Sequence, residues 1–347
     1  MQYRFLIFLF LLPCLLLAIP FKVASYNVQN LFDASYQGTE YPDYTPHKDH
    51  WNQAMVEIKL NHIAEVICDI DADMIGLQEI ENQAILEQLF QRLEFVGCGY
   101  EHSAITAKKG ATIQVAFLSR YPIVNHQDIE ISTHSRVRHI LEVDVMVGGQ
   151  RLTLFVNHWK SKAYAGYESK RIASAKVLQE RIGRLLKDRA YIILGDLNSD
   201  YDASLTLESK LNDSKGKTAF NDTLATKVAD TLVDEYTLME STQSLHYSLW
   251  LELDIDKRWS YQFYGRYASP DHIVLPKALF DGKGIDYVNN SFGVYKAEYL
   301  FHKRGWIYRW EYKNKQHTGK GYSDHLPVYA YFDTKPIKPM HVYLSLR

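Results

Sequence analysis

The chain has 347 residues, 46% hydrophobic and 23% charged, the balance of an ordinary folded protein with one large domain or two smaller ones. A formal net charge of −2 and a pI near 6.7 exclude a global basic field, so any grip on a polyanion must be local or use a metal. No repeat, low-complexity run or linker divides the chain.

Arg4 precedes an apolar stretch over residues 5–19, shorter than the about 20 residues a spanning helix needs. Its length and basic flank fit a secretory leader over 1–20, which leaves a domain over 21–347. An uncleaved membrane anchor is the alternative. Pro13 stands before Cys14, where a lipoprotein signal needs a small residue. After leader removal only Cys68 and Cys98 remain, and one disulfide or two buried thiols fit equally.

Residues 22–28 read as a strand, and 36–50, with Gly38, Pro42 and Pro46, as a loop. Met55, Ile58, Ile63, Val66 and Ile67 recur at near-helical spacing and predict a helix over 51–68. A short buried strand over 74–79 precedes a helix over 82–94, whose stripe is Ile85, Leu86, Leu89 and Leu93. Strands are expected over 112–119, 138–147 and 151–158, the last two joined as a hairpin through Gly148-Gly149. A helix over 167–188 leads into a strand over 191–195. Residues 200–245 read as helix or loop, and strands within 261–275 and 326–332 complete a single mixed α/β domain.

Polar residues cluster where these strands end. Gly195-Asp196-Leu197-Asn198 closes an apolar run, and on a continuing strand Asp196 and Asn198 would share a face. Gly195 removes side-chain bulk where another group comes close. Asn27 ends the first strand; alone it signals only a turn. Glu79 alone reads as a solvated carboxylate at a helix start, and otherwise as a hard oxygen ligand. Asn157-His158 is followed by Trp159-Lys160-Ser161-Lys162, a basic environment suited to a phosphate. Asp271 heads one strand after Pro270, and Asp324-His325 precedes another; such a pair can orient an imidazole.

The ordered series Asn27, Glu79, His158, Asp196/Asn198, Asp271 and Asp324/His325 resembles the endonuclease/exonuclease/phosphatase superfamily of DNase I-like and exonuclease III-like enzymes. The segments around Tyr26-Asn27-Val28-Gln29-Asn30 and Asn157-His158-Trp159-Lys160 look most like exported bacterial extracellular nucleases. The resemblance implies a four-layer α/β sandwich: two mixed sheets face to face, helices outside, and a site at one end. It implies Glu79 as principal metal ligand with Asn27 beside it, and Asp324 as a second metal-site or orienting acid. Asp196 would position or activate the attacking water, or protonate the leaving group. Asn198 and His158 would donate to phosphate oxygens. His325 would be the acid/base or phosphate-binding histidine, with Asp271 orienting it. Arg138 precedes a strand where DNase-like relatives carry a substrate-contacting arginine, and Lys160 and Lys162 join it on the substrate side. On the predicted strand at 112–119 no acid stands ready to partner His158.

The implied protein is an exported, divalent-metal-dependent phosphodiesterase cutting DNA, with RNA as a second substrate, Mg²⁺ as cofactor and Mn²⁺ or Ca²⁺ as alternatives. A monomer located in the periplasm or outside the cell, without a membrane span once the leader is cut, is expected. The competing substrate class is sphingomyelin or inositol-phosphate head groups. Between His302 and Tyr322 the chain is locally basic: Lys303, Arg304, Arg309, Lys313, Lys315 and Lys320 stand against one acid, Glu311. Trp306, Tyr308, Trp310 and Tyr312 interleave with them. The alternation fits contacts to phosphates and bases, or equally the buried face of a strand.

Overall fold

Side chains of β1 (Pro20–Leu31) alternate between two apolar clusters, and this sorting sets the architecture. Phe21 and Val23 enter one cluster, and Ala24, Tyr26 and Val28 the other, so both faces of the strand are buried. The computed structural model describes residues 20–162, 166–185 and 189–334. The leader assigned to 1–20 therefore lies outside the described residues except for Pro20, which opens β1.

β1 pairs in parallel with β2 (Met74–Ile80) and antiparallel with the strand Val328–Asp333. β3 (His102–Ile105) and β4 (Gln114–Ser119) extend this sheet beyond β2, and two-residue strands pair on the far side of Val328–Asp333. The second sheet contains β5 (Ile123–Ile129), β6 (Ile140–Val147), β7 (Gln150–His158) and β8 (Tyr191–Asp196), with Asp271–Pro276 and His246–Ser248 beyond β8. Here β7 and β8 are the parallel pair. The sheets pack face to face: Gly76 of β2 is so close to the other sheet that a Cβ there would meet Leu194 at 2.9 Å and Val156 at 3.0 Å.

α1 (Gln53–Ile70) and α2 (Gln83–Phe95) cover the outer face of the first sheet. Each starts on an asparagine, Asn52 or Asn82, whose side chain accepts a first-turn N–H. α3 (Glu168–Ile182) and a π-helical turn, Ala219–Thr223, cover the second. The result is the expected four-layer sandwich, helix–sheet–sheet–helix.

Some elements depart from expectation for local reasons. β5 is missing from the sequence reading because Val124, Asn125, His126, Gln127 and Asp128 are all exposed; it is an edge strand with no apolar alternation. The helix expected over 167–188 ends at Ile182 before Gly183, and residues 186–188 lie outside the described range. The stretch 306–312 is not a buried strand: Trp310 is 1% exposed, but Trp306 is 53% and Tyr312 40%. Gly305, Gly319 and Gly321 sit at φ of 80°, 71° and 79° and turn the chain repeatedly.

Cys68, near the end of α1, is bridged to Cys98 after α2, with Cα atoms 5.4 Å apart. A loop of 30 residues closed in this way is expected to contribute about 3–4 kcal/mol by chain entropy. Reduction, or a Cys68→Ser/Cys98→Ser variant, should therefore lower the denaturation midpoint. An unchanged midpoint in reductant would show that the bridge adds nothing to stability.

Candidate active site

The odd positions of β1 face the other sheet. Phe21 and Val23 are apolar; Ser25 and Asn27, toward the strand end, are buried and polar. The same change occurs across the gap, where register aligns His158 with Asp196 and Asp196 with Asp271 on three adjacent strands. Asn27 bridges the sheets: its Nδ2 donates to Asp196 Oδ2 at 3.0 Å and Glu79 Oε1 at 3.3 Å. Its Oδ1 accepts from the Gln29 N–H and keeps a second lone pair, so Asn27 ties the two acids together and can still stand beside Glu79 at a cation.

Strand alternation from Met74, Gly76 and Gln78 would send Glu79 away from this cluster. Instead Glu79 adopts φ 69° inside a bulge: Gln78 pairs with Val115 and Ile80 with Gln114, leaving Glu79 extra. The left-handed conformation of a non-glycine residue marks local strain, here associated with aiming a carboxylate at the site. Asn30 N–H and Asn27 Nδ2 hold it.

Gly195 lets β8 approach β7: a Cβ there would lie 2.0 Å from the Asn157 carbonyl oxygen. β8 ends at Asp196, and Asn198 is off the strand at φ 48°. The expected same-face strand pair is thus replaced by an Asx-type turn, in which the Asn198 N–H donates to Asp196 Oδ1 at 2.9 Å. The Asn198 amide donates to the Trp159 carbonyl at 3.1 Å. Arg138, buried, donates to the same carbonyl at 2.7 Å. Lys162 is paired with Asp200, so its charge is engaged within the protein; Lys160 is half-buried and lies 5.3 Å above the Tyr167 ring.

His325 Nδ1 meets Asp271 Oδ2 at 2.8 Å, and Ser260 Oγ donates to the same oxygen at 2.6 Å. His325 Nε2 is 3.9 Å from Asp196 Oδ2, and the Tyr261 ring lies against the imidazole at 4.7 Å. His158 Nε2 faces Asp196 Oδ2 at 3.5 Å and Glu79 Oε1 at 3.8 Å, while its buried Nδ1 has no partner among the described residues. That matches the absence of an acid noted on the strand at 112–119.

Burial and charge divide the two histidines. Burial, reinforced by Arg138 and His325, pushes His158 well below its usual range, so it is neutral. Burial also opposes charge on His325, but Asp271, by charge and hydrogen bond, together with Asp196 and Asp324 outweighs it and holds His325 well above its usual range, so it is an imidazolium. Burial raises Asp196 to about 7, with His325 pulling it down and Asp271 pushing it up. Burial and the nearby Asp324 raise Glu79. One neutral imidazole, one imidazolium and a carboxyl titrating near neutrality form an acid–base site.

Glu79 keeps some solvent access, feels the negative charge of Asp324 and presents hard oxygens, which fits a divalent cation that would relieve the repulsion. Asp196, Asp271 and His325 also place ligand atoms within 4.8 Å of one another. There the His325 Nδ1 is already bonded to Asp271, which favours the Glu79–Asp324 side. Three groups escaped the sequence reading. Ser260 and Tyr261 carry no motif; fully buried Lys59, on α1, donates to the carbonyls of Gln29 and Tyr322 and so ties the Asn27 turn to the His325 turn.

Two mixed sheets face to face, helices outside, and acids and imidazoles gathered at one end define a DNase I-like hydrolase of phosphoester bonds. The chain belongs to the Endonuclease/Exonuclease/phosphatase family, whose sequence profile matches residues 22–237. Asp271, Asp324 and His325 lie beyond that stretch and join the site through the fold. No curated protein matches the sequence. Solved structures share the fold at low identity. TDP2 from D. rerio, complexed with a single-strand DNA product, is 15% identical, with 90% of this chain and 98% of that one covered and a TM-score of 0.55. An endonuclease/exonuclease/phosphatase family protein from Bacteroides thetaiotaomicron is 16% identical over 92% and 99% of the two chains, TM-score 0.55. A family protein from Leptotrichia buccalis is 14% identical over 89% and 98%, TM-score 0.51.

Proposed function

We propose that the protein is an exported, metal-dependent phosphodiesterase that hydrolyses DNA. The observation that carries this is the row His158–Asp196–Asp271, completed by His325, with opposite protonation of the two histidines. Phosphodiester hydrolysis gathers negative charge on the non-bridging oxygens, and preorganised donors stabilise it where it forms. His325 offers Nε2–H with a full positive charge, and His158 is a neutral ring that turns its Nε2 toward Asp196 and Glu79, where it can donate to a phosphate oxygen. Asp196, with a carboxyl near neutrality, orients the attacking water for in-line displacement. Arg138 adds positive potential that acts on His158, Glu79 and Asp196.

Glu79 and Asp324 would hold the cation, Mg²⁺ first and Mn²⁺ or Ca²⁺ as alternatives, and when bound it supplies Lewis-acid polarisation of a phosphoryl oxygen. DNA as substrate is supported by the fold shared with the D. rerio protein, whose structure holds a single-strand DNA product. Export, to the periplasm or beyond, is supported by the apolar N-terminal stretch and by the Cys68–Cys98 bridge.

Plasmid nicking tests the assignment. Cleavage is expected with Mg²⁺, and EDTA or Glu79→Ala should reduce it by about 10²-fold or more, the scale of losing one transition-state stabiliser. Turnover confined to sphingomyelin or phosphoinositides would replace DNA with the lipid class.

A further inference from the structure

A groove of about 780 Å³ opens beside the catalytic cluster, between the hairpin at 261–268 and the segment 302–312. The two walls are joined, because the Ile307 N–H donates to Gln262 Oε1. It begins one ring away from the chemistry: Tyr261 lies on His325, and Phe263 stacks along Tyr261 at 6.4 Å.

Aromatic rings in this groove face solvent rather than a core. Phe263 is 50% exposed, Tyr264 92% and Trp306 53%. Tyr264 occupies the hairpin tip at φ 46°, followed by Gly265 at φ 76°. A bulky residue rarely adopts that conformation, and here it projects the ring away from the protein. The surrounding charge is positive: Lys303, Arg304 and Arg309 are exposed, and none forms an ion pair with a described residue. The acid in the lining, Glu311, accepts from Thr318.

We infer that this groove binds unpaired nucleotides of a polynucleotide strand whose scissile phosphate lies at His325. The inference rests on the phosphodiesterase reading above and names the form of its substrate. Base faces are covered by their neighbours in a duplex, so exposed rings can stack only on unstacked bases. Cations with no carboxylate partner among the described residues, Arg304 among them at 5.8 Å over the Trp306 ring, suit a sugar-phosphate backbone that continues from the active site. The groove thus makes the enzyme selective for single strands, frayed ends or gaps.

The test compares wild type with Phe263→Ala, Tyr264→Ala and Trp306→Ala, each checked for an unchanged melting curve. A fluorescent single-stranded 12-mer, the corresponding duplex and an abasic 12-mer of equal charge are titrated in EDTA, and turnover is followed with Mg²⁺. Each ring is expected to contribute roughly 5- to 150-fold in affinity for the single strand, the range for stacking on one base. The abasic strand should bind weakly and be insensitive to the substitutions, and the duplex should bind more weakly than the single strand. The KM for the 12-mer should rise by that factor relative to the KM for bis(4-nitrophenyl) phosphate, which is too small to span the groove. Unchanged single-strand affinity in all three variants, or equal affinity for duplex and single strand, overturns the inference. If either result appears while the wild type cleaves bis(4-nitrophenyl) phosphate, the groove alone is refuted. If the wild type cleaves no phosphodiester, yet the variants lose single-strand binding, the catalytic reading is refuted and the groove stands.

Discussion

Asp196→Asn is expected to lower kcat for phosphodiester cleavage by about 10²–10⁴-fold, the range for a positioned acid–base group. Asp196 lies where every part of the site meets: Asn27 and the Asn198 N–H donate to it, His158 is 3.5 Å away and His325 3.9 Å. An amide keeps the shape and loses the proton chemistry. The same substitution should not unfold the protein. Burial raises the Asp196 carboxyl to about 7, above its ordinary 3.8, so the folded state takes up a proton that the unfolded state releases between those values. Stability from this group is therefore present at low pH and is lost as pH rises toward 7. The asparagine variant has no such loss, so measured in EDTA its stability relative to wild type should increase from pH 4 to pH 7. A relative stability that falls over this range, or retained kcat, would remove Asp196 from the role given to it.

The second large effect belongs to a pair. His325→Gln and Asp271→Asn should each lower kcat by about 10²–10³-fold, as when one transition-state donor is lost. Asp271 is fully buried and acts through His325, so it is a positioning residue whose carboxylate sets the charge and direction of the imidazole. Once His325 is gone, Asp271 has nothing to orient. The double variant should therefore be about as slow as His325→Gln alone, far from the product of the two losses. Multiplicative losses would show that Asp271 works independently, through Ser260 or through the metal side. Melting curves must accompany the rates, because Asp271 also accepts from Ser260 inside the core.

Much of the site was legible because strands place polar residues at their ends in a way that period-two patterns reveal. Asn27, His158, Asp196, Asp271 and His325 each follow or lead an apolar run, and the structure gathers all five. Glu79 was recognisable as a strand-end acid, but its direction was not. The bulge that turns it inward uses a non-glycine residue at φ 69°, and nothing in Leu77-Gln78-Glu79-Ile80 announces it. Asp196 and Asn198 were expected to share a face by strand alternation; they meet instead through a turn, because the strand stops at Asp196. The period-two aromatics at 306–312 looked alike whether buried or exposed, and only the surrounding glycine turns separate Trp310 in the core from Trp306 at the surface.

The amino-acid sequence by itself determined the local matters: which runs are apolar enough to be strands, which helices carry a stripe, and which polar groups interrupt the apolar pattern at strand ends. Those follow from short-range periodicity and from the free energy of burying apolar surface. Only the tertiary structure decided which ends meet. Two sheets packed face to face bring Asn27 and Glu79 from one sheet against His158, Asp196 and Asp271 from the other, and the bonded pair Asn27 and Asp196 is 169 residues apart in the chain. Protonation was decided there as well, since burial and nearest charge, neither of them a property of a residue type, leave His158 neutral and His325 charged.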